Sequence, residues 1–474
     1  MTTVINRRER KKIAIRGQII ATAIDLFTRH GIAAVTVDQI AEATDIGKGT
    51  VYNYFSTKED IVVAFMADIE ARLSPKIARF APTGHALDRI LADFVLFHFR
   101  LKKPYHAFVR HAKGSLSAAA AKAGHDVLVG LFPMQSATLD AEYENFLTAN
   151  WIDSSDPGTK VGTQAAAAIL TLRSNDGRNP PNPPPFLGSD AIGQWRPTPS
   201  LLPGPPPSLA PGLTPWVAHV TPFTMRSDSQ FRVGPPPDLS SEKWATDYNE
   251  IQSVGSLTST TRTPEQTDMS YFWADSGPIL WQNALRYLST RYLNDIGDSA
   301  RMFALADTAL ADAQIACWDG KYHYTFWRPI TAIRLGDQDD NPSTNVDPDW
   351  QPLINTPNFP EYPSGHATIS GAISYALRLF FDTDVLYFEM TSTTALAQQK
   401  TRTFYRFSQA EDEVVDARVF SGIHYRHTDN VSRILGRRVA RWSFENYFQP
   451  LCDQRHRDHR WERADPCDTR ERHP

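Results

Sequence analysis

An all-α fold in two unequal parts is predicted by three observations on this 474-residue chain: an N-terminal three-helix helix-turn-helix domain, then a helical bundle with long loops. Apolar side chains recur at helical spacing in segment after segment, and no repeated strand pattern accompanies them. A tight turn at Asp45 separates two short helical stretches, the unit that places its second helix in the major groove of DNA. The length exceeds what one hydrophobic core ordinarily organises, so two or more domains are expected. The implied boundaries are 1–65 for the head, 66–117 for a helical connector, 118–450 for the bundle and 451–474 for a charged, disordered tail.

In the head, Ile19, Ile20, Ala23, Ile24 and Phe27 form the apolar stripe of a helix over 17–30, which Gly31 stops. Arg7, Arg8, Arg10, Lys11, Lys12 and Arg16 precede it as a basic arm. Thr36 is the expected N-cap of a second helix through Ile40 to Ala43, and a short third helix holds Lys48, Thr50, Tyr52, Asn53 and Tyr54. Ile61, Phe65, Ile69 and Leu73 continue at helical spacing, as do Ala118–Lys122 and the stretch through Leu128, Leu131 and Phe132. Residues 179–216 are proline-rich and read by composition as a polyproline-like linker. The embedded Trp195, Leu201, Leu202 and Trp216 suggest a segment packed on a surface instead.

Further on, Met302, Leu305, Ala309, Ala313 and Ala316 mark a helix running toward Lys321. Another starts at Ser364-Gly365-His366 and keeps Ile369, Ile373, Ala376, Leu377 and Phe380 on one face. Ser408 and Glu411 have the spacing of a capping box, so a helix should start there and deliver Arg418 near its end. A last helix follows Asp429 with Val431, Leu435 and Trp442.

A net charge of −4 argues against a protein that coats nucleic acid throughout, so basic charge is regional. Cys317, Cys452 and Cys467 are too few and scattered for a disulfide framework or a zinc site. No apolar run is long enough to span a bilayer and no signal peptide is apparent, which predicts a soluble, cytoplasmic protein. The acidic stretch Asp337, Asp339, Asp340, Asp347 and Asp349 lacks the ligand spacing of a calcium loop and reads as a solvated loop. His323, His427 and Cys317 read as structural.

Thr36-Val37-Asp38-Gln39-Ile40-Ala41, then Gly47-Lys48-Gly49-Thr50-Val51-Tyr52-Asn53-Tyr54-Phe55 and Lys58-Glu59, resembles the TetR family of transcriptional regulators over about the first 65 residues. The resemblance implies a dimeric reader of palindromic double-stranded DNA, with Thr36, Lys48, Thr50, Tyr52, Asn53, Tyr54 and Lys58 as its DNA-binding residues. Lys48, Lys58 and the basic arm suit phosphates, and Thr50 and Asn53 are short enough to reach base edges. The sequence departs from the family at Asp45, where glycine is usual, and at Gly47, where a capping serine is common. Asp tolerates a left-handed backbone better than most residues. The connector reads as the remnant of a truncated effector domain.

Three distant segments can supply one oxyanion cage: Lys321 with Arg328-Pro329, Pro363-Ser364-Gly365-His366, and Arg418 with His424. Three cations neutralise a multiply charged oxyanion, while the Ser364 hydroxyl and the Gly365 amide at a helix start add directional donors. These motifs, in this order, resemble the superfamily uniting vanadium-dependent haloperoxidases with type 2 phosphatidic-acid phosphatases. The match is sharpest over about 300–440, with weaker similarity including Gly193-Gln194-Trp195-Arg196-Pro197 reaching back to about 118. It implies a helical bundle around a central site, an ordered wrap in place of a free linker, and vanadate as cofactor if the chain is a haloperoxidase. It also implies that His424 is the vanadium ligand or the nucleophile, that His366 is the acid-base residue, and that Lys321, Arg328, Ser364, Gly365 and Arg418 hold the oxyanion. A carboxylate should orient His424; four residues on stands Thr428, so Asp429 is the expected partner.

Vanadate-dependent oxidation of halide by hydrogen peroxide is therefore the first functional expectation. Phosphomonoester hydrolysis through a phosphohistidine at His424, with no cofactor, is the alternative, because five-coordinate vanadate resembles the phosphoryl-transfer transition state. The lack of membrane spans and the Trp327-Arg328-Pro329 context favour the former. A transcriptional regulator whose C-terminal region only binds an anion is the third.

Overall fold

The computed structural model describes residues 7–30, 34–58, 60, 61, 64, 113–199 and 210–448. Most of the 66–117 connector, the whole 451–474 tail, and Gly31, Phe65, Ile69, Leu73, Leu201 and Leu202 lie outside the described residues. The described residues fall into two compact units, one within Met1–Pro184 with His219–Thr221 and Leu288–Arg301, the other within Pro185–Ala218, Pro222–Tyr287 and Met302–Pro474.

The first unit contains the head: α1 (Arg7–His30), α2 (Val37–Thr44) and α3 (Lys48–Tyr52). The basic arm is not separate from the first helix. Arg, Glu and Lys are good helix formers, so the helix runs back to Arg7. Thr36 caps α2 in a capping box: its Oγ1 accepts the Gln39 amide at 3.3 Å, and its own amide donates to Gln39 Oε1 at 2.8 Å. Asp45 takes the left-handed turn at φ 57°. Ile20, Ile24, Phe27, Ile40, Val51 and Phe55 pack into one core that fixes the turn. The same unit holds α4 (Lys113–Leu131), α5 (Ser136–Ala149) and α6 (Pro157–Leu172), of which α4 and α6 pack together.

The second unit contains α7 (Glu242–Val254) and α8 (Pro264–Phe272). Two helices, α9 (Gly277–Tyr292) and α10 (Ile296–Tyr324), have residues in both units. The second unit continues with α11 (Pro329–Arg334), α12 (Gly365–Phe381), β1 (Val385–Thr391), β2 (Thr401–Arg406), α13 (Phe407–Phe420) and α14 (Arg426–Tyr447). The fold is helical as expected, with one addition: β1 and β2 form an antiparallel pair in which Phe388 faces Phe404. Helices α12 and α14 pack along their length. Their backbones approach so closely that a Cβ at Gly436 would lie 2.0 Å from the Thr368 carbonyl oxygen, and one at Gly371 would lie 2.3 Å from that of Arg433. Glycine is required at both for contact without a side chain between.

Three local expectations are corrected. Ser408 and Glu411 form no capping box: the Ser408 hydroxyl and amide donate to Asp384, while the Glu411 carboxylate accepts from Ser374 and pairs with Arg437, so α13 starts at Phe407. Helix α14 begins at Arg426, which places Asp429 within its first turn and not ahead of it. Asp339 is no solvated loop residue but a buried acceptor for Trp244 Nε1, the Asn341 amide and Thr344 Oγ1. The described part of the proline-rich stretch is an ordered wrap. Trp195 is fully buried and stacked on Phe186, and its amide donates to the Thr325 carbonyl.

Candidate oxyanion site and helix-turn-helix head

Lys321 lies in the last turn of α10, Arg328 precedes α11, Ser364 and Gly365 start α12, Arg418 lies in the last turn of α13 and His424 precedes α14. Five chain segments thus deliver their side chains to one place, and Lys321, Arg328, Ser364, Arg418 and His424 are all buried. A cavity of about 190 Å³ is lined by the polar Gly365, His366, Arg418 and His424 region and by Trp318 and Phe359.

The cations are held by backbone carbonyls, which leaves other donors free. Lys321 Nζ donates to Pro360 O at 2.8 Å and Glu361 O at 3.1 Å, and lies 4.9 Å from the Phe359 ring centroid. Burial, with Arg328 adding repulsion, drops its pKa to about 7 against the pull of Cys317, Glu361 and Asp429. Arg328 donates through Nε to Phe359 O and through Nη1 to Ile423 O, both at 2.9 Å. Arg418 Nη1 donates to Trp273 O at 2.8 Å. Burial lowers both guanidinium pKa values to about 10, so both remain charged at neutral pH.

The imidazoles have defined tautomers. Arg328 Nη1 can only donate, and it lies 3.2 Å from His424 Nε2, so Nε2 carries the lone pair and Nδ1 the proton. That proton is donated to Glu361 Oε1 at 2.8 Å. His366 Nε2 donates to the Asp275 carbonyl at 2.8 Å, which leaves its Nδ1 as the acceptor nitrogen. Burial, reinforced by Arg418 and Lys321, lowers the His366 pKa to about 3; burial and the nearby cations hold His424 well below its usual range. Both rings are neutral at pH 7.

Glu361, and not Asp429, is the carboxylate on His424. Its Oε1 also accepts the Tyr425 amide at 3.1 Å, and its Oε2 accepts the Thr428 hydroxyl at 2.9 Å. Burial pushes Glu361 up to about 7, with Arg328 and Lys321 opposing. The residue four places after His424 thus serves the carboxylate without being one, and Asp429 is turned elsewhere by the helix that starts at Arg426. Sequence reasoning missed Glu361; the available signal was a charged residue between Pro360 and Pro363, three places before Ser364. Arg328 Nη2, Ser364 Oγ and Arg418 Nε are buried with no hydrogen-bond partner. A buried unmade hydrogen bond costs about 1–3 kcal/mol; of the three donors Arg418 lines the cavity itself, and donors of this kind suit a tetrahedral or trigonal-bipyramidal oxyanion.

In the head, Lys48, Tyr52 and Asn53 are exposed, and Thr50, Tyr54 and Lys58 are half-buried. Thr36 is occupied as the α2 cap. Lys48 Nζ pairs with Asp38 at 2.7 Å, and Lys58 Nζ donates to Val35 O at 3.2 Å. Among the described residues no helix is long and apolar enough to cross a membrane.

These features define a helix-turn-helix head and a helical bundle with a buried cluster of cationic and imidazole side chains. Residues 19–65 match the tetR family of bacterial regulatory proteins, and residues 301–452 match the second helical-bundle domain of VCPO. The chain therefore joins a tetR-type head to a domain of the vanadium-haloperoxidase type. It is 32% identical over 190 residues to vanadium chloroperoxidase of Curvularia inaequalis, covering 33% of this chain and 30% of that protein. It is 36% identical over 73 residues to the HTH-type transcriptional regulator TcmR of Streptomyces glaucescens, covering 14% of this chain and 32% of the regulator. The chain thus spans about a third of the length of these relatives. A crystal structure of a bacterial vanadium-dependent iodoperoxidase superposes with a TM-score of 0.56 at 26% identity, over 69% of this chain and 78% of that one.

Proposed function

We propose that the second unit binds vanadate and oxidises halide with hydrogen peroxide, and that the head binds double-stranded DNA. The observation that carries the enzymatic reading is the set of unpaired buried donors, Arg328 Nη2, Ser364 Oγ and Arg418 Nε, beside a neutral His424. Lys321, Arg328 and Arg418 would neutralise the oxyanion, the Ser364 hydroxyl and Gly365 amide would direct it, and His424 Nε2 would turn to it the lone pair that now faces Arg328 Nη1. Vanadate held there supplies a Lewis-acidic centre that activates peroxide toward halide. His366, with Nε2–H fixed on Asp275, accepts and returns a proton at Nδ1. The apolar wall of Trp318 and Phe359 limits water beside the charges, which strengthens each interaction.

The same lone pair on His424, steadied by Glu361, also suits in-line attack on a phosphomonoester with His366 protonating the leaving group, and this is the second reading. Purified protein loaded with orthovanadate is given peroxide and bromide or iodide with a phenolic dye, beside a parallel p-nitrophenyl phosphate assay. Halogenation that requires vanadate, halide and peroxide together is the expected result. Phosphate release inhibited by vanadate, without halogenation, selects the phosphatase, and inactivity in both leaves a regulator with an anion-binding region. In the head, Lys48 and Lys58 contact phosphates while Thr50, Tyr52, Asn53 and Tyr54 face the groove, with two copies of the chain on a palindromic site.

A further inference from the structure

Asp429 is buried in the first turn of α14, and neither oxygen of its carboxylate has a hydrogen-bond partner. Ser364 Oγ adjoins it closely enough to lower its pKa, yet is itself buried and makes no well-formed bond. An ionised carboxylate with no donor satisfied is costly, and this one also stands near Glu361. Burial, with Glu361 adding repulsion, holds the Asp429 carboxyl well above the ordinary range, while Ser364, Arg418 and Arg426 pull it down. Lys321 and Arg328 also feel its charge.

A serine hydroxyl has one proton to give. Beside an ionised carboxylate, Ser364 spends it there and turns only lone pairs toward an incoming oxyanion, which repels them. Beside a carboxylic acid the order reverses: the acid donates to Ser364 Oγ, and Ser364 donates onward. Resting on the anion-site reading above, we propose that Asp429 is a positioning residue that carries a proton whenever an oxyanion is bound, and so fixes Ser364 as a donor to that oxyanion. The proton comes from solvent and stays on an Asp429 oxygen; no other bond is made or broken. This role differs from orienting His424, which belongs to Glu361.

Inorganic sulfate, which does not titrate near neutral pH, is the probe, with Asp429→Asn as the variant. The amide donates to Ser364 Oγ as the acid does and changes no charge if the acid is neutral. The sulfate Kd, by calorimetry at pH 7, is expected to stay within about fivefold of wild type. A larger change in either direction overturns the proposal; tightening in particular would mean that wild type holds a negative charge beside the anion. Independently, the infrared spectrum of the sulfate-bound wild type should contain a protonated-carboxyl C=O band that Ser364→Ala shifts. Absence of such a band, or its indifference to Ser364→Ala, overturns the proposal even where Asp429→Asn does not fold. Failure of the wild type to bind sulfate at all removes the anion-site reading and this inference with it.

Discussion

His424 Nδ1 lies 2.8 Å from Glu361 Oε1, and this contact, together with Arg328 Nη1 3.2 Å from Nε2, decides which nitrogen of a buried imidazole keeps its lone pair. Because Glu361 is fully buried and its two oxygens take all three of the His424, Tyr425 and Thr428 donors, it orients the ring and locks the turn into α14 together.

Glu361→Gln should therefore retain the fold and lower vanadate affinity about 10- to 100-fold, the usual cost of losing a group that orients a metal-binding histidine. Glu361→Ala also strands three buried donors and should cost about 3 kcal/mol. Chemical denaturation separates the two variants. Equal vanadate affinity in wild type and Glu361→Gln would show that the carboxylate does not act through His424.

Lys321 should set a pH limit on the proposed oxyanion chemistry. Its pKa is lowered to about 7, so the ammonium is present below that pH and lost above it. Oxyanion affinity and kcat/KM should fall as pH rises through about 7, in a window shared with Glu361, which titrates in the same range. Lys321→Arg keeps its charge and should move the descending limb upward even if the maximum rate drops. A limb that stays in place assigns it to another group.

His424→Ala should abolish turnover by about 1,000-fold or more, since it removes the lone pair on which either chemistry depends. It leaves Glu361 without one of its donors, so a stability loss of about 1–3 kcal/mol is expected. Circular dichroism confirms the fold, and turnover within tenfold of wild type would remove this residue from the site.

How much of this was legible beforehand follows from what sequence spacing encodes. Lys321 and Arg418 lie in the last turns of helices and Ser364 caps one, places readable from caps and periodicity, whereas their meeting with Arg328 at one site was implied by the resemblance of the three motifs to the haloperoxidase and phosphatase superfamily. The partner of His424 could not. Glu361 comes from a loop 63 residues earlier, and only the three-dimensional path of the chain brings it to the ring. Asp429 looked nearer in sequence, yet starting α14 at Arg426 directs Thr428 toward Glu361 and leaves Asp429 unbonded. The β1–β2 pair escaped because its alternation is brief, although the Val385-Leu386-Tyr387-Phe388 run carried β propensity.

Lys48 must leave Asp38 before it can meet a DNA phosphate. Both side chains are exposed to solvent, so the pair is weak and its lysine is readily exchanged to another anion. Asp38→Asn should accordingly tighten binding to a palindrome selected from random-sequence DNA by about two- to fivefold, and Lys48→Ala should weaken it and reduce the log–log salt slope by about one. Fluorescence anisotropy across a salt series reads both. An unchanged slope in Lys48→Ala places that lysine away from the backbone.

Gly436→Ala tests whether the packing of α12 on α14 holds the site. The new methyl would sit 2.0 Å from the Thr368 carbonyl oxygen, a backbone atom that cannot swing aside, so the helices must separate. Overpacking of this kind costs about 1–3 kcal/mol. Separation also moves Ser364, whose amide donates to Ser432 Oγ across the same pair of helices at 2.8 Å. The expected outcome is a lower Tm together with weakened oxyanion binding, although Gly436 itself touches no ligand. A variant destabilised to that extent but with unaltered sulfate affinity would show that the cage is held by its loops and not by the helix pair.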